Sequence, residues 1–279
     1  MLITGASSGI GAAVAREAAR KGYRLAVTAR RADRLDALAA ELEPADVLPI
    51  AADLADPDAP ARLIDQVIAH HGRLDVLVNN AGFGLPGLFG QADPAGLREQ
   101  VEVNFTAPIV LARLALPHLI ASKGTVINVG SSITSVANPI FGAYGATKAA
   151  LAYWNDALRR EVRHLGVNVC LVEPGPVATE FFDSVERRAE APRPSAGGIY
   201  NALSDRPPAA LSATADDVAR RLVRLVDRPR RRLSVLRRAV WPFRLAGGLF
   251  QVWPWLGDIG LSAMVRRLDA VGTPTRRTP

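Results

Sequence analysis

The sequence predicts an α/β fold: a parallel sheet with helices packed on both of its faces. Two observations carry that expectation. Apolar runs recur at 1–4, 24–28, 46–50, 74–78, 124–129 and 167–172, each four to six residues long and without polar alternation, as strands buried on both faces should be. Between them lie helical patterns near 9–21, 31–42, 57–71, 94–120 and 143–165, with Pro57 and Pro94 placed as helix-start residues. Alternation of this kind gives parallel strands joined by crossover helices. In such sheets ligands bind beyond the carboxyl ends of the strands, so chemistry is expected in the residues that follow each one.

Composition agrees with a globular chain. Its 279 residues can bury a sizeable core, and 49% hydrophobic with 22% charged residues is an ordinary balance that excludes disorder as the default. The net charge of +7 is carried almost wholly by arginine, since lysine occurs only at positions 21, 123 and 148. Such a bias reads first as base composition, and it also suits a phosphorylated cofactor. Cys170 is the only cysteine and falls in the apolar run Val167–Val172, so an internal disulfide is excluded and a core filler is expected. No basic and apolar leader precedes the first run, and a cytoplasmic location is the expectation.

Taken in order, the strand ends are rich in polar groups. The first strand runs into Thr4-Gly5-Ala6-Ser7-Ser8-Gly9-Ile10-Gly11 and a helix. Glycines there allow a tight turn and close approach of a pyrophosphate, and a helix start offers N–H groups to the anion. The spacing is Gly-x-x-x-Gly-x-Gly rather than Gly-x-Gly-x-x-Gly. After the second strand stand Arg30 and Arg31 with no acid. An acid would bind a ribose 2′-hydroxyl and repel a 2′-phosphate; arginine does the opposite, which favours the phosphorylated dinucleotide. Arg31 can instead be a solvated residue of the next helix. Asp53-Leu54 follows the third strand, and an exposed loop aspartate and an adenine contact are equally good readings. Asn79-Asn80-Ala81-Gly82 follows the fourth, where two amides can brace the neighbouring strand and line a ribose. Gly130-Ser131-Ser132 follows the fifth and Glu173-Pro174-Gly175-Pro176-Val177-Ala178-Thr179 the sixth.

Between those last two strands, Tyr144 and Lys148 stand four apart at the start of a helical run, hence on one helix face. A cation beside a phenol lowers its pKa, so the pair can be a proton donor and acceptor near neutrality. Standing alone it is far more readily a Tyr and a Lys that happen to share a helix face.

Thr-Gly-x-x-x-Gly-x-Gly, Asn-Asn-Ala-Gly, a strand-end serine, Tyr-x-x-x-Lys and Pro-Gly, in this order over residues 1 to about 180, resemble a classical short-chain dehydrogenase/reductase. The resemblance implies a Rossmann-type, doubly wound parallel sheet, here of about seven strands, with a nicotinamide cofactor and carbonyl/alcohol redox chemistry. It implies Tyr144 as general acid/base, Lys148 as the residue that lowers its pKa and holds the nicotinamide ribose, and Ser131, thirteen residues before the tyrosine, as the donor to the substrate oxygen. Asn104 matches the family's helix asparagine, which supports a water-linked proton relay through Lys148. Gly5, Ser7, Ser8, Gly9, Ile10 and Gly11 match the pyrophosphate loop, and Arg30, helped by Ser7, the 2′-phosphate position. Asp53 and Leu54 match adenine contacts, and Asn80, Ala81 and Gly82 the adenosine-ribose side. Pro174, Gly175, Val177 and Thr179 match the nicotinamide side. NADP(H) is therefore expected over NAD(H). Only Met1-Leu2-Ile3 precedes the Thr-Gly, so the first strand is short or the chain begins upstream.

The C-terminal part departs from the pattern. One dinucleotide-binding catalytic domain is expected over 1–238, with a substrate lid at about 181–213, a helix capped by Thr214 and running to 227, and a seventh strand at 232–236. An aromatic and basic helical extension is expected over 239–279. It is read as a cover for the pocket or a subunit interface, as an interfacial membrane element within 239–268, or as a partner-binding module. The longest uncharged run there, 245–257, falls short of the ~18–20 residues that span a bilayer. His70, His71, His118 and His164 show no ligand spacing and have no cysteine partner, so no metal site is expected. No nucleic-acid motif accompanies the basic run 228–232, and a homo-oligomer is expected. The leading reading is an NADP(H)-dependent oxidoreductase acting on a mostly apolar carbonyl or alcohol. The alternatives are a nucleotide-sensing protein without turnover and a membrane-peripheral reductase of lipid-like substrates.

Overall fold

The computed structural model describes residues 1–87, 89–181 and 212–235. The expected extension at 239–279 lies outside the described residues, as does nearly all of the expected lid. Among the described residues, seven parallel strands form one sheet: β1 (Leu2–Thr4), β2 (Leu25–Ala29), β3 (Val47–Ala51), β4 (Val76–Asn79), β5 (Thr125–Val129), β6 (Asn168–Pro174) and β9 (Arg232–Val235). Their order is β3-β2-β1-β4-β5-β6-β9. The order reverses between β1 and β4, so the carboxyl ends of those two strands flank the crevice where such sheets bind ligands. Two short strands, β7 (Val177–Ala178) and β8 (Ala213–Thr214), pair beside it.

Residue alternation explains why the strands read as unbroken apolar runs. Ile3, Val27, Val78, Ile127 and Cys170 face one core, which also takes Val14 and Ala18 of α1 (Gly9–Arg20) and Leu35 of α2 (Ala32–Glu41). Leu2, Ala26, Leu77, Val126 and Val169, one residue away in each strand, face a second core. That core takes Leu63 and Val67 of α3 (Ala59–His71). A side-chain period of two and helices on both faces make each strand apolar throughout. Cys170 is buried, as expected of a filler.

α3 begins at Ala59 rather than at Pro57, with Pro60 in its first turn. The predicted helix over 94–120 is three pieces: α4 (Pro94–Val101), a π-turn at Glu102–Thr106 and α5 (Ala107–Ser122). The stretch Pro94–Ser122 is long and apolar enough to cross a membrane by length and composition, with 33% of its most apolar window buried. α5 lays Ala107, Leu111, Ala115 and Leu119 into the second core. α6 (Gly142–Val162) follows β5. Thr214 caps α7 (Ala215–Asp227), its hydroxyl accepting from the Asp217 N–H at 3.1 Å. α7 buries Val218, Leu222 and Val223 in the first core.

Candidate active site

Close packing shapes the floor of the site. Gly5 has φ +68° and Gly9 φ +56°, a left-handed conformation that favours glycine. A Cβ on Gly5 would lie 2.8 Å from Ala81 Cα, and one on Gly11 would lie 2.3 Å from the Gly5 carbonyl oxygen. The loop is thereby pressed against the start of the chain that leaves β4. Ser8 is the N-cap of α1 but its side chain makes no capping bond, so it does not occupy the first-turn N–H groups, as an anion site requires.

The amides after β4 act as braces. Asn80 Nδ2 donates to the Thr4 carbonyl at 2.9 Å and to that of Gly5 at 3.3 Å, while the Asn80 and Ala81 N–H groups donate to Thr4 Oγ1. Its donors are thus committed to the loop rather than held out to a ribose. Asn79 Nδ2 donates to Asn128 Oδ1 at 2.9 Å, and Asn128 Nδ2 to Asn155 Oδ1 at 3.0 Å. This buried amide ladder ties β4, β5 and α6 together.

The arginines after β2 divide the work differently from the expectation. Arg31, not Arg30, reaches Ser7: its Nη2 donates to Ser7 Oγ at 2.8 Å and to Ser8 Oγ at 3.0 Å. The reason is local, because Arg31 is the N-cap residue of α2 and its side chain lies over the loop. Arg30 instead lies 3.4 Å from Glu99 Oε1 and 4.0 Å from Asp53 Oδ2. Glu180 faces the same corner, 3.4 Å from Arg31 Nη1 and 2.7 Å from Arg34 Nη1. Asp53 also accepts from the Ala55 N–H at 3.0 Å, and Leu54 is buried beneath it.

Tyr144, Lys148 and Asn104 meet at the other end of the crevice. All three are buried, at 8%, 4% and 0% exposure. α6 directs one stripe inward, comprising Tyr144, Thr147, Lys148, Leu151 and Asn155, at the three- and four-residue spacing of a helix face. Lys148 Nζ donates to the Val129 carbonyl at 2.9 Å and lies 5.9 Å from the centre of the Tyr144 ring. Asn104 sits in the π-turn. Its Oδ1 accepts from the Phe83 N–H at 3.0 Å, and its Nδ2 donates to the Phe83 carbonyl at 2.8 Å and to Thr147 Oγ1 at 3.2 Å. A Cβ on Gly82 would lie 3.0 Å from Asn104 Oδ1 and 3.2 Å from Lys148 Nζ. Glycine is therefore what lets the two polar groups flank that backbone.

Ser131 stands in hydrogen-bonding reach of the Tyr144 phenol, and its Oγ accepts from the Ile133 N–H at 3.2 Å, turning the chain after β5. Ser132 begins the 3-10 turn and has no bond to the phenol. Phe141 and Phe181 wall the phenol, with ring centres 6.2 and 5.6 Å from it. On the sixth-strand side, the Gly175 N–H donates to the Val235 carbonyl at 2.9 Å, Pro174 pairs with Val235, Val177 is buried, and Thr179 lies against Gly9.

The electrostatics correct one expectation. Burial pushes the Tyr144 pKa up to about 12, partly offset by the Ser131 hydroxyl, where the neighbouring lysine was expected to lower it. Burial brings Lys148 down to about 8. Desolvation disfavours both charged forms, and the ammonium points to the Val129 carbonyl rather than to the phenol oxygen.

The short chain dehydrogenase family model matches residues 1–190. An oxidoreductase of Escherichia coli (strain K12), YbbO, is 35% identical over 189 residues, which cover 67% of this chain and 69% of that one. The 11-beta-hydroxysteroid dehydrogenase 1A of Arabidopsis thaliana is 39% identical over 185 residues, 65% of this chain and 53% of the plant protein. This chain thus matches about half the length of the plant relative. Among solved structures, a short-chain dehydrogenase from Sphingobium yanoikuyae in complex with NADPH superposes with a TM-score of 0.73 at 29% identity, covering 91% of this chain and 94% of that one.

Proposed function

This chain belongs to the short-chain dehydrogenase/reductase family and is an oxidoreductase, and on that premise we propose that it transfers hydride between NADP(H) and the carbonyl or secondary alcohol carbon of an apolar substrate. The observation that carries the reading is the buried Tyr144 phenol, with Ser131 in reach and Lys148 one turn further along the same helix face. The crevice fits a dinucleotide: Gly5, Ser7, Ser8, Gly9, Ile10 and Gly11 form a crowded loop at an uncapped helix start. Asp53 and Leu54 are assigned to the adenine, and Ala81 and Gly82 to its ribose, with Asn80 bracing the loop beneath them. Pro174, Gly175, Val177 and Thr179 are assigned to the nicotinamide end, and Tyr144 and Lys148 to the ribose there. When bound, the nicotinamide supplies the hydride.

The protein supplies the proton and the positioning. At neutral pH the Tyr144 phenol keeps its proton, because its pKa is up to about 12, so it stands ready to donate to a carbonyl oxygen. Ser131 donates to the same oxygen, and fixed donors at a developing alkoxide are the main stabilising term. Lys148, with a pKa of about 8, is mostly cationic at pH 7 and favours the phenolate left behind. Asn104 and Lys148, on either side of Gly82, are the path by which that phenolate regains its proton. The preference for the phosphorylated cofactor is supported by Arg31 on Ser7 and Ser8, by Arg30 beside it, and by the NADPH held by the Sphingobium relative. Phe141 and Phe181 support an apolar substrate, and the hydroxysteroid named for the Arabidopsis relative makes fused-ring alcohols and ketones the first probes. The half-buried Ile109 and Val110 of α5 and the 82% exposed Tyr153 of α6 support self-association, which sedimentation velocity would measure.

The test is a panel of aldehydes, ketones and secondary alcohols followed by NADPH absorbance. Tyr144→Phe is expected to lower turnover by ~10²–10⁴-fold while NADPH still binds. Turnover as fast as the parent's overturns the proton assignment, and higher kcat/KM with NADH overturns the cofactor assignment.

A further inference from the structure

A second group of chemically active side chains sits at the opposite end of the sheet from Tyr144. Asp46, immediately before β3, and His70 and His71, at the end of α3, bring one donor atom each to within 4.8 Å of one another. The two histidines show no ligand spacing by themselves; the fold adds the carboxylate from 24 residues away.

The ring geometry of His71 is the telling observation. Its side chain is 4% exposed, and Nε2 lies 3.1 Å from the Leu25 carbonyl. A carbonyl only accepts, so Nε2 carries the hydrogen, and in the neutral ring the lone pair is on Nδ1. Nδ1 is buried without a hydrogen-bond partner among the described residues and faces Asp46 Oδ2 at 3.5 Å. A lone pair aimed at a carboxylate oxygen is repulsive unless a cation lies between them. His70 Nε2 faces the other oxygen, Oδ1, at 3.3 Å. Both separations exceed the ~2.7–2.9 Å of a charge-assisted hydrogen bond. Each is close to the edge of a metal tetrahedron, about 3.3–3.4 Å for Zn–N and Zn–O bonds of ~2.0–2.1 Å, with the two histidines facing different oxygens of the one carboxylate.

We infer that Asp46, His70 and His71 form a binding site for a divalent transition metal, Zn²⁺ being the best match, that ties the C-terminal end of α3 to the start of β3. The Leu25 carbonyl fixes the His71 tautomer from outside the ligand set, as such partners do in metal sites. Arg24 Nε, 2.7 Å from Asp46 Oδ2, orients the carboxylate while its charge weakens the site, so micromolar affinity is expected. His70 is 46% exposed, which leaves a water to complete the tetrahedron.

The test uses the untagged full-length protein, stripped of metal by a chelator and titrated with Co²⁺ and then Zn²⁺. One equivalent of Co²⁺ is expected to give d–d absorption of tetrahedral intensity that Zn²⁺ abolishes, and Zn²⁺ is expected to raise Tm. His70→Ala, at an exposed position, is expected to fold as the parent and to weaken Co²⁺ binding about tenfold or more; Asp46→Asn is expected to do the same. His164→Ala, also exposed and outside the group, is expected to change nothing. A folded protein without the d–d band, or a band unaltered in both His70→Ala and Asp46→Asn, overturns the site.

Discussion

The two ends of the sheet treat polar groups in opposite ways. At the amino end, Arg24 and Asp46, and Arg73 and Asp75, are exposed ion pairs, and each contributes little to stability because water screens it. At the carboxyl end, Tyr144 and Lys148 are buried, and burial moves both pKa values against the charged form. Apart from the buried His71 and Met1 amino group, the amino end is built from polar groups that cost little to fold; the other end holds groups whose burial opposes folding and to which the proposed function assigns the chemistry. Substitutions at the two ends should therefore separate activity from stability.

The largest separation is expected at Lys148. Lys148→Met should lower turnover by ~10²–10³-fold through loss of the cation beside the phenolate, yet raise stability at pH 7 by about 1–2 kcal/mol. The burial cost removed exceeds the lost bond to the Val129 carbonyl. The sign follows from linkage: the folded pKa of about 8 lies below the ordinary lysine value of 10.5. Between those values the unfolded chain holds a proton that the native chain has released, so parental stability rises with pH. Denaturation at pH 7 and pH 10 should show that rise in the parent and its loss in the variant. Reductive turnover of the parent should fall on the alkaline side near pH 8.

The converse case is Leu74, fully buried just before β4. Leu74→Ala should cost about 2–4 kcal/mol of stability with kcat per folded molecule unchanged; a drop in kcat would break the separation of the two ends. Asn104→Ala tests the boundary between them. It removes one partner each from the N–H and the carbonyl of Phe83, the carbonyl keeping Gln100, so a loss of about 1–2 kcal/mol is expected together with reduced turnover, read by urea midpoint and steady-state rate. The smallest effect is expected at Glu180, which holds Arg31 and Arg34. Glu180→Gln should lower the KM for NADPH several-fold and leave that for NADH unmoved. Equal change for both cofactors would remove Arg31 from the 2′-phosphate assignment.

Residue pattern made the sheet legible almost strand by strand, because burial on both faces leaves an unbroken apolar run. The cap at Thr214 and the last strand were legible for equally local reasons. Tyr144, Lys148 and Ser131 share one site as their order in the chain implies. What sequence could not carry was direction. Arg30 and Arg31 are adjacent, and only the start of α2 decides that Arg31 lies over Ser7. The Tyr144–Lys148 spacing shows a shared face, but not that the ammonium turns to Val129 and that burial governs the phenol. The approach of Asp46 to His70 and His71 was invisible for a related reason: it is a product of packing between α3 and the lead into β3.

The π-turn at Glu102–Thr106, where the Ala107 N–H reaches back to the Glu102 carbonyl, makes the site sensitive to length rather than to composition. Five residues occupy a turn that an ordinary helix fills with about 3.6. Deleting one residue there would let the helix close into regular register while rotating everything before it by about 100° relative to everything after. Asn104 would leave Phe83 and Thr147 although no side chain had been altered. A single in-frame codon loss in this helix is thus expected to disable the enzyme where many conservative substitutions along its outward face would pass unnoticed.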